Sequence, residues 1–310
     1  MSVSKKSFLS DIKRFQANHE FKHINAGGVQ FRYILCGKGA KTLTILIGGM
    51  GLAELNFAFI EKLESSYRVL AFDYPLGKDT NAELIDSIHE HIKELGIDKT
   101  IFIGESYGGY VAQMFARKYP DVTEGLCLFS TASLNTETIE SLRKRYSGLA
   151  KPGIWILGHV PYNWLKPILI KASMKKVKNV SEDEYNYMND FFVWAFKDYT
   201  GKFDVHMTSL LVDIMNQKPC KKEEFDYLKG KVMLILPDDD ESFTTQMQND
   251  LIKLFEEPYV VEHITGGHLA PILQTERYVE EINAFTINRM VKETVKNDSD
   301  QNINISRIEG

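Results

Sequence analysis

Short apolar runs and amphipathic stretches alternate over the first 130 residues of the chain. Continuous apolar runs such as "TLTILIG" and "YRVLAFD" are typical of strands that are buried on both faces. Apolar residues three or four positions apart between Asn81 and Leu95 indicate a helix. The pattern predicts strands at 27–37, 42–48, 67–73, 99–104 and 124–130, and helices at 52–63, 81–95 and 107–118. Because strands that alternate with helices form mostly parallel sheets, we expect a doubly wound α/β fold.

The alternation breaks after Ser130, and the next comparable apolar run is "KVMLILP" at 231–237. The stretch between them is about 100 residues long, whereas a strand–helix–strand crossover needs only about 30. Much of it is helical in pattern and rich in aromatic residues, including the run "FFVWAF" at 191–196. The pattern then resumes with a helix at 243–255, a strand at 259–264 and a helix at 274–291. We therefore predict a core at 21–133 and 227–294, interrupted by an inserted helical cap at 134–226.

Both ends of the chain differ from this core. Phe8, Ile12 and Phe15 fall on one face of a predicted amphipathic helix within residues 1–20, and we expect this face to pack on the body rather than on a membrane. The start has no apolar stretch typical of a secretory signal. Residues 295–310 are polar, and we interpret them as a disordered tail or the remnant of a cloning linker.

Composition excludes several classes of protein. The net charge of −5 comes without a basic block, so nucleic-acid binding has little support. No apolar run approaches the roughly 18 to 20 residues that a membrane span needs. The three cysteines, Cys36, Cys127 and Cys220, are far apart and lack metal-type spacing. We therefore expect a reducing, cytoplasmic location, and the oligomeric state is left open.

The segment "IFIGESYGG" at 101–109 contains a G-x-S-x-G motif centred on Ser106. Alone, the pentapeptide is a weak signal. Here it follows a predicted buried strand and opens a predicted helix, the context in which such a serine is exposed on a sharp turn. The alternative is a tight turn with a helix-capping serine. The context favours Ser106 as a nucleophile.

A serine hydroxyl needs a base, and the base needs a carboxylate that orients it. His268 follows the predicted strand at 259–264, and three aspartates, Asp238, Asp239 and Asp240, follow the strand at 231–237. Both positions lie just past the carboxyl ends of strands, where open α/β sheets build their sites. The chain order is therefore serine, acid, histidine.

The other histidines considered are weaker candidates. His263 falls inside the predicted strand at 259–264. His89 and His91 lie on a helix without the spacing of an H-E-x-x-H zinc site, and we expect them to be solvated. We predict no metal and no cofactor.

Together these features resemble the α/β-hydrolase family over about residues 25–290, most specifically at "GESYGG" and "GGHLAPILQTERYVEEINAF". The resemblance implies that the acid lies three residues past a turn position occupied here by Pro237. This selects Asp240, with Asp239 and Asp238 as alternatives. It also implies an oxyanion hole formed by the N–H groups of Gly49, in "GGMG", and of Tyr107.

Two positions depart from the family pattern. Ile47 stands where relatives often have histidine, and "DYPLGKDT" lacks the common arginine–glycine turn. Neither supplies a group of the triad, but both weaken assignment to a subfamily.

A competing hypothesis treats "TLTILIGGMGLAE" as a dinucleotide-binding loop, with Asp73 as the ribose-binding acid. Glu54 occupies the position where that fingerprint needs a third small residue, and an alternating strand precedes the loop. We therefore expect Asp73 to be a structural acid at the end of a strand.

The sequence thus predicts a serine hydrolase that acts on a carboxylic ester or amide of a small or medium-sized substrate. An N-terminal proline peptidase is the enzymatic alternative, because "GGMG" is similar to the GGPG loop of that group. The alternative from another class is a non-catalytic protein that keeps the triad and senses a ligand.

Overall fold

The computed structural model of the protein describes residues 7–291, apart from the side chains of Arg145, Ser147, Leu149, Ala150 and Val291. The first six residues of the predicted N-terminal segment and the predicted tail at 295–310 lie outside the described residues.

The described part of the chain is built on an eight-stranded sheet with the strand order β1-β2-β4-β3-β5-β6-β7-β8. The pairs β1–β2 and β2–β4 are antiparallel, and every other neighbouring pair is parallel. The predicted mostly parallel α/β architecture is confirmed. The strands are β1 Lys22–Ala26, β2 Val29–Cys36, β3 Thr42–Leu46, β4 Arg68–Phe72, β5 Thr100–Glu105, β6 Thr123–Phe129, β7 Val232–Ile235 and β8 Tyr259–Val261.

The helices flank this sheet and fill the stretch between β6 and β7. None of the helices between residues 7 and 291 has the length and hydrophobicity that crossing a membrane requires. The α-helices are α1 Phe8–Asn18, α2 Phe57–Leu63, α3 Asn81–Glu94, α4 Tyr107–Lys118, α5 Thr136–His159, α6 Tyr162–Met174, α7 Glu182–Ala195, α8 Gly201–Asp213, α9 Thr245–Leu254, α10 Ala270–Leu273 and α11 Thr275–Phe285. We call residues 134–226, which contain α5 to α8, the helical segment.

Four elements differ from the sequence prediction. The first strand, β1, was missed because "KHINA" is an exposed edge strand without an apolar stripe. The predicted helix at 52–63 begins with a 3₁₀ turn at Ala53–Asn56, and α11 passes into a π-helical turn at Thr286–Val291. The prediction that His263 lies inside a strand is wrong: β8 ends at Val261, and His263 has a φ of 59°, which a strand cannot accommodate.

Helix α1 packs against both the core and the helical segment. Its buried face consists of Phe8, Ile12 and Phe15, whereas Leu9 is 44% exposed. The ring of Phe8 makes edge-to-face contacts with four aromatic rings, those of Phe57 in α2 and of Tyr187, Phe191 and Trp194 in α7. Packing of this kind adds about 0.5–1.5 kcal/mol per aromatic pair to the burial of apolar area.

His91 is fully buried, so the expectation that it is solvated is wrong. Its ring stacks on Phe31 with centroids 4.3 Å apart, and the edges of Tyr33 and Phe72 enclose it. Neither ring nitrogen has a hydrogen-bond partner among the described residues. Burial lowers the pKa of His91 to about 4, so this histidine is neutral and serves as a flat core side chain.

Candidate active site

Ser106 lies at the sharp turn between β5 and α4, with φ 52° and ψ −116°. A backbone in this region costs about 1–3 kcal/mol, and such strain clusters at functional sites. Two glycines make the turn possible. A Cβ on Gly104 would lie 2.6 Å from the carbonyl oxygen of Gly108, and a Cβ on Gly108 would lie 2.1 Å from that of Leu46. The G-x-S-x-G pattern is therefore required sterically at both of its ends.

The structure brings together Ser106, His268 and Asp240. The Oγ atom of Ser106 lies 3.0 Å from Nε2 of His268, and Nδ1 of His268 lies 2.9 Å from Oδ2 of Asp240. Because an ionised carboxylate only accepts, Nδ1–H must donate to Asp240, which leaves the Nε2 lone pair facing the serine hydroxyl. The Asp240 side chain is completely buried and that of His268 is 14% exposed, so water competes little for their hydrogen bond.

The three candidate aspartates have three different environments. Asp240 also accepts a hydrogen bond from the N–H of Ser242 at 2.8 Å. Asp239 accepts hydrogen bonds from the N–H groups of Gly266 and Gly267, which precede His268. Asp238 is exposed, and its own N–H donates to the carbonyl of Ile264. Only Asp240 contacts the imidazole, while Asp239 holds the loop that carries it.

The loop that carries Gly49 approaches Ser106, and Tyr107 is the next residue along the chain. A Cβ on Gly48, the neighbour of Gly49, would lie 3.8 Å from Cβ of Ser106. Tyr107 is the first residue of α4, where N–H groups have no partner inside the helix. Within residues 7–291, neither Gly49 nor Tyr107 donates its N–H to an acceptor. Both N–H groups therefore stay available to an anionic oxygen.

The loop that carries Gly49 is held from several sides. The N–H of Gly51 donates to the carbonyl of Gly48, and the hydroxyl of Tyr74 donates to the carbonyl of Ile47 at 2.9 Å. In the helical segment, the Tyr199 hydroxyl donates to the carbonyl of Met50. The loop geometry is thus fixed without a histidine at position 47.

Asp73, the ribose-binding acid of the dinucleotide alternative, and Glu54, which argued against that alternative, are both paired with Arg32. The guanidinium lies 2.7 Å from Glu54 and 3.1 Å from Asp73. Asp73 also accepts a hydrogen bond from the N–H of Ala53 at 2.8 Å. Burial raises the pKa of the Asp73 carboxyl, and the charge of Arg32 opposes that rise. These contacts give Asp73 a structural partner at the end of β4.

Glu105, the residue before Ser106, also lies at the candidate site. It was not identified as a site residue from the sequence. Burial raises the pKa of its carboxyl, and the fields of His268 and Asp240 act on it with opposite signs. Its side chain makes no hydrogen bond with another residue between 7 and 291. Its position inside the "GESYG" motif was the available signal.

Helix α8 covers the glycine loop. A Cβ on Gly51 would lie 2.7 Å from Sδ of Met207 and 3.2 Å from the ring of Phe203, and a Cβ on Gly49 would lie 3.5 Å from Leu211. The spacing of Phe203, Met207 and Leu211 places them on one helix face. The space next to the predicted oxyanion groups is therefore lined by apolar side chains.

One group of potential metal ligands occurs elsewhere among the described residues. The ligand atoms of His19, Cys36 and Glu64 lie within 4.8 Å of one another. They follow α1, end β2 and follow α2, so no sequence spacing could have indicated the group. Nε2 of His19 lies 3.0 Å from a carboxylate oxygen of Glu64. Cys36 pairs with Val69 at the end of β4 opposite Phe72, so the group lies away from Ser106.

No protein-family profile matches the chain. A 2-hydroxy-6-oxo-6-(2'-aminophenyl)hexa-2,4-dienoic acid hydrolase of Metapseudomonas resinovorans is 32% identical over 152 residues, covering 46% of this chain and 50% of that protein. The proline iminopeptidase PfmaB of Pestalotiopsis fici is 32% identical over 143 residues, covering 41% of this chain and 50% of the relative. The chain thus spans about half the length of these curated relatives.

The fold matches solved structures over most of its length. The enol-lactonase from Burkholderia xenovorans LB400 superposes with a TM-score of 0.68 at 16% identity, covering 86% of this chain and all of that one. At this identity the likeness shows the fold alone. Together with these two curated relatives, which are hydrolases, it confirms the expected α/β-hydrolase fold and the resemblance to that family.

Proposed function

We propose that the protein is a serine hydrolase that cleaves a carboxylic ester, or an amide, of a small or medium-sized substrate through an acyl-enzyme on Ser106. The observation that carries this proposal is the continuous hydrogen-bond chain from Ser106 Oγ through His268 to Asp240. A neutral imidazole with its lone pair on the hydroxyl is the arrangement that activates a serine for attack on a carbonyl carbon.

In the proposed reaction, Ser106 Oγ attacks the carbonyl carbon while its proton passes to Nε2 of His268. Asp240 stabilises the resulting imidazolium through the Nδ1–H bond. The carbonyl oxygen becomes an oxyanion that accepts hydrogen bonds from the N–H groups of Gly49 and Tyr107. His268 then protonates the leaving group, and a water molecule, deprotonated by the same histidine, releases the acid.

The surroundings support an apolar acyl group. Leu211 and Met207 face the glycine loop, and the ring of Phe243 lies 5.7 Å from that of His268. Such walls contribute about 25 cal/mol per Å² of apolar substrate surface that they remove from water. We propose that the helical segment acts as the cap that supplies this lining.

Labelling with a fluorophosphonate probe, followed by an ester and aminoacyl-amide panel, tests the proposal. Ser106→Ala should abolish labelling and lower kcat by roughly 10⁴ to 10⁶ while circular dichroism is unchanged. Ser130→Ala is a matched control, because Ser130 also follows a strand and has a positive φ of 43°; it should retain labelling. Full activity and labelling of Ser106→Ala would contradict the assignment.

The second candidate, an N-terminal proline peptidase, is favoured by the match to a proline iminopeptidase and by the "GGMG" loop. Faster turnover of amides that carry an N-terminal proline than of activated esters of similar size would establish the peptidase function. A folded protein that binds a ligand yet fails to label or turn over any substrate would instead support the ligand-sensing alternative.

A further inference from the structure

Residues 141–181, in α5, α6 and the turns that follow them, carry nine basic side chains and no acidic one. The expectation that the chain has no basic block is therefore wrong for this stretch. The remainder of the chain is strongly acidic, because the whole chain has a net charge of −5. The basic residues are Arg143, Lys144, Arg145, Lys151, Lys166, Lys171, Lys175, Lys176 and Lys178. Such a one-sided distribution creates a local positive field on an otherwise acidic protein.

The same stretch exposes large apolar side chains. Trp155 at the end of α5 is 60% exposed, and Trp164 and Ile168 in α6 are 72% and 64% exposed. The third tryptophan, Trp194, instead packs on Phe8. Single exposed apolar residues are common on protein surfaces, whereas clusters of them mark interaction sites. Two exposed tryptophans on adjacent helix ends form such a cluster.

Apolar and basic side chains share one stripe of α6. Trp164, Ile168, Lys171 and Lys175 recur at intervals of three and four residues, so they lie along a single face. Lys171, Lys175 and Lys176 are exposed, and none of them forms an ion pair with a residue between 7 and 291. Their charges are therefore available to an external partner.

We propose that the end of α5 and helix α6 form a surface that adsorbs to an anionic lipid bilayer. Tryptophan and isoleucine would enter the headgroup region, and the lysines would extend to the lipid phosphates and carboxylates. Each lysine near an anionic membrane surface adds attraction, so Lys171 and Lys175 on this face, with Lys176 beside it, change binding strongly. This inference does not depend on the proposed hydrolase activity.

Charge favours this partner over a second copy of the chain. A symmetric pair through this face would bring two sets of like charges together, which opposes association. A nucleic acid would satisfy the lysines but would leave Trp164 and Ile168 without an apolar environment. The test below can also detect dimer formation and nucleic-acid binding.

The test mixes the purified full chain with phosphatidylcholine vesicles and with vesicles that contain about one third phosphatidylserine. We expect sedimentation with the anionic vesicles, weakened by salt, and a blue shift of tryptophan emission, since two of the three tryptophans lie on the surface. The triple variant Lys171→Glu, Lys175→Glu, Lys176→Glu should bind about tenfold or more weakly. The double variant Trp155→Ser, Trp164→Ser should lose most of the binding.

A matched charge control is Lys93→Glu, Lys99→Glu, Lys253→Glu, which reverses three exposed lysines of the core and should bind like the parent chain within about twofold. Equal weakening by both triple variants would overturn the proposal, because net charge alone would then explain binding. So would absence of the blue shift, tighter binding to duplex DNA than to anionic vesicles, or a dimer in light scattering that disappears in the double tryptophan variant.

Discussion

At the scale of single residues, the three adjacent aspartates offer the sharpest test of the site. Asp240→Asn should lower kcat by about 10⁴, because the amide would donate toward Nδ1 and favour the wrong imidazole tautomer. Asp239→Asn should lower kcat by about tenfold or less, since its amide oxygen can still accept from Gly267, and Asp238→Asn should leave kcat nearly unchanged. Single variants assayed on one activated ester give the comparison.

An inactive Asp239→Asn beside a nearly normal Asp240→Asn would place the acid one position earlier. A melting curve of each variant separates a lost carboxylate from a distorted loop. If Asp239→Asn unfolds earlier yet turns over substrate at low temperature, its role in holding Gly266 and Gly267 is structural.

A second residue-scale prediction concerns acid stability. The folded-state pKa of His91, about 4, lies below its ordinary value of 6.5. The unfolded chain therefore binds a proton there more readily, so stability falls as pH drops from about 6.5 to about 4, by roughly 3 kcal/mol. His91→Phe keeps the stacking on Phe31 and removes the titration, so its free energy of unfolding should vary less with pH in this window.

Urea unfolding of both proteins at pH 7 and pH 4.5 measures the effect. His89→Phe is the control, because His89 is only partly buried and stacks on Tyr119 near the surface. Equal pH dependence of the parent chain and His91→Phe would show that other groups cause the acid sensitivity.

At the scale of elements, α1 provides a prediction about packing. Phe8→Ala removes a fully buried ring that contacts α2 and α7, and should destabilise the protein by about 3–5 kcal/mol. Leu9→Ala, one position along and 44% exposed, should change stability by less than about 0.5 kcal/mol. Chemical unfolding of both variants provides the measurement, and similar losses would mean that α1 is not fixed by its aromatic face.

Predictability varies among elements for physical reasons. Helix α4 begins and ends at the predicted residues because a strained serine precedes it and Pro120 follows it. The buried strands β3 to β7 were predicted because each lies in a continuous apolar run, which is typical of a strand that is buried on both faces. The edge strand β1 was missed because its order comes from pairing with β2, a tertiary contact that leaves little trace in hydrophobicity.

At the scale of the whole molecule, a buried hydrogen-bond network joins the site to the helical segment. The Tyr107 hydroxyl donates to Oδ1 of Asn81 at 2.7 Å, and Nδ2 of Asn81 donates to Asp213 and to the carbonyl of Leu210 in α8. Asn81 is fully buried. The residue after the candidate nucleophile is therefore connected to the helix above the glycine loop.

Asn81→Ala should leave Tyr107 and α8 without these partners, at a cost of about 1–3 kcal/mol. We expect faster proteolysis within the helical segment and a lower kcat/KM, by about tenfold, because α8 would no longer be held over the site. Asn216→Ala is the control, since Asn216 contacts Asp213 from the exposed side. Unchanged cleavage and kinetics in Asn81→Ala would rule out this connection.

The polar groups of the candidate site could be predicted from the sequence, whereas its apolar lining could not. Serine, aspartate and histidine each follow a strand, and the sheet gathers the ends of its strands at one edge, so their meeting follows from topology. Glu105 and the apolar face of Phe203, Met207 and Leu211 depend on how deeply a side chain is buried and how the helical segment folds back. The sequence pattern does not encode either directly.

The hydrogen bond between Ser106 and His268 spans 162 positions in the chain. A ribosome adds about 5–20 residues per second, so roughly 8 to 30 seconds separate the synthesis of the serine from that of its proposed base. During that interval the nascent chain exposes a serine that has no proton acceptor and is chemically inert. Reactivity toward a fluorophosphonate would therefore first arise when the last part of the sheet has been made, and it could serve as a clock for completion of the fold during translation.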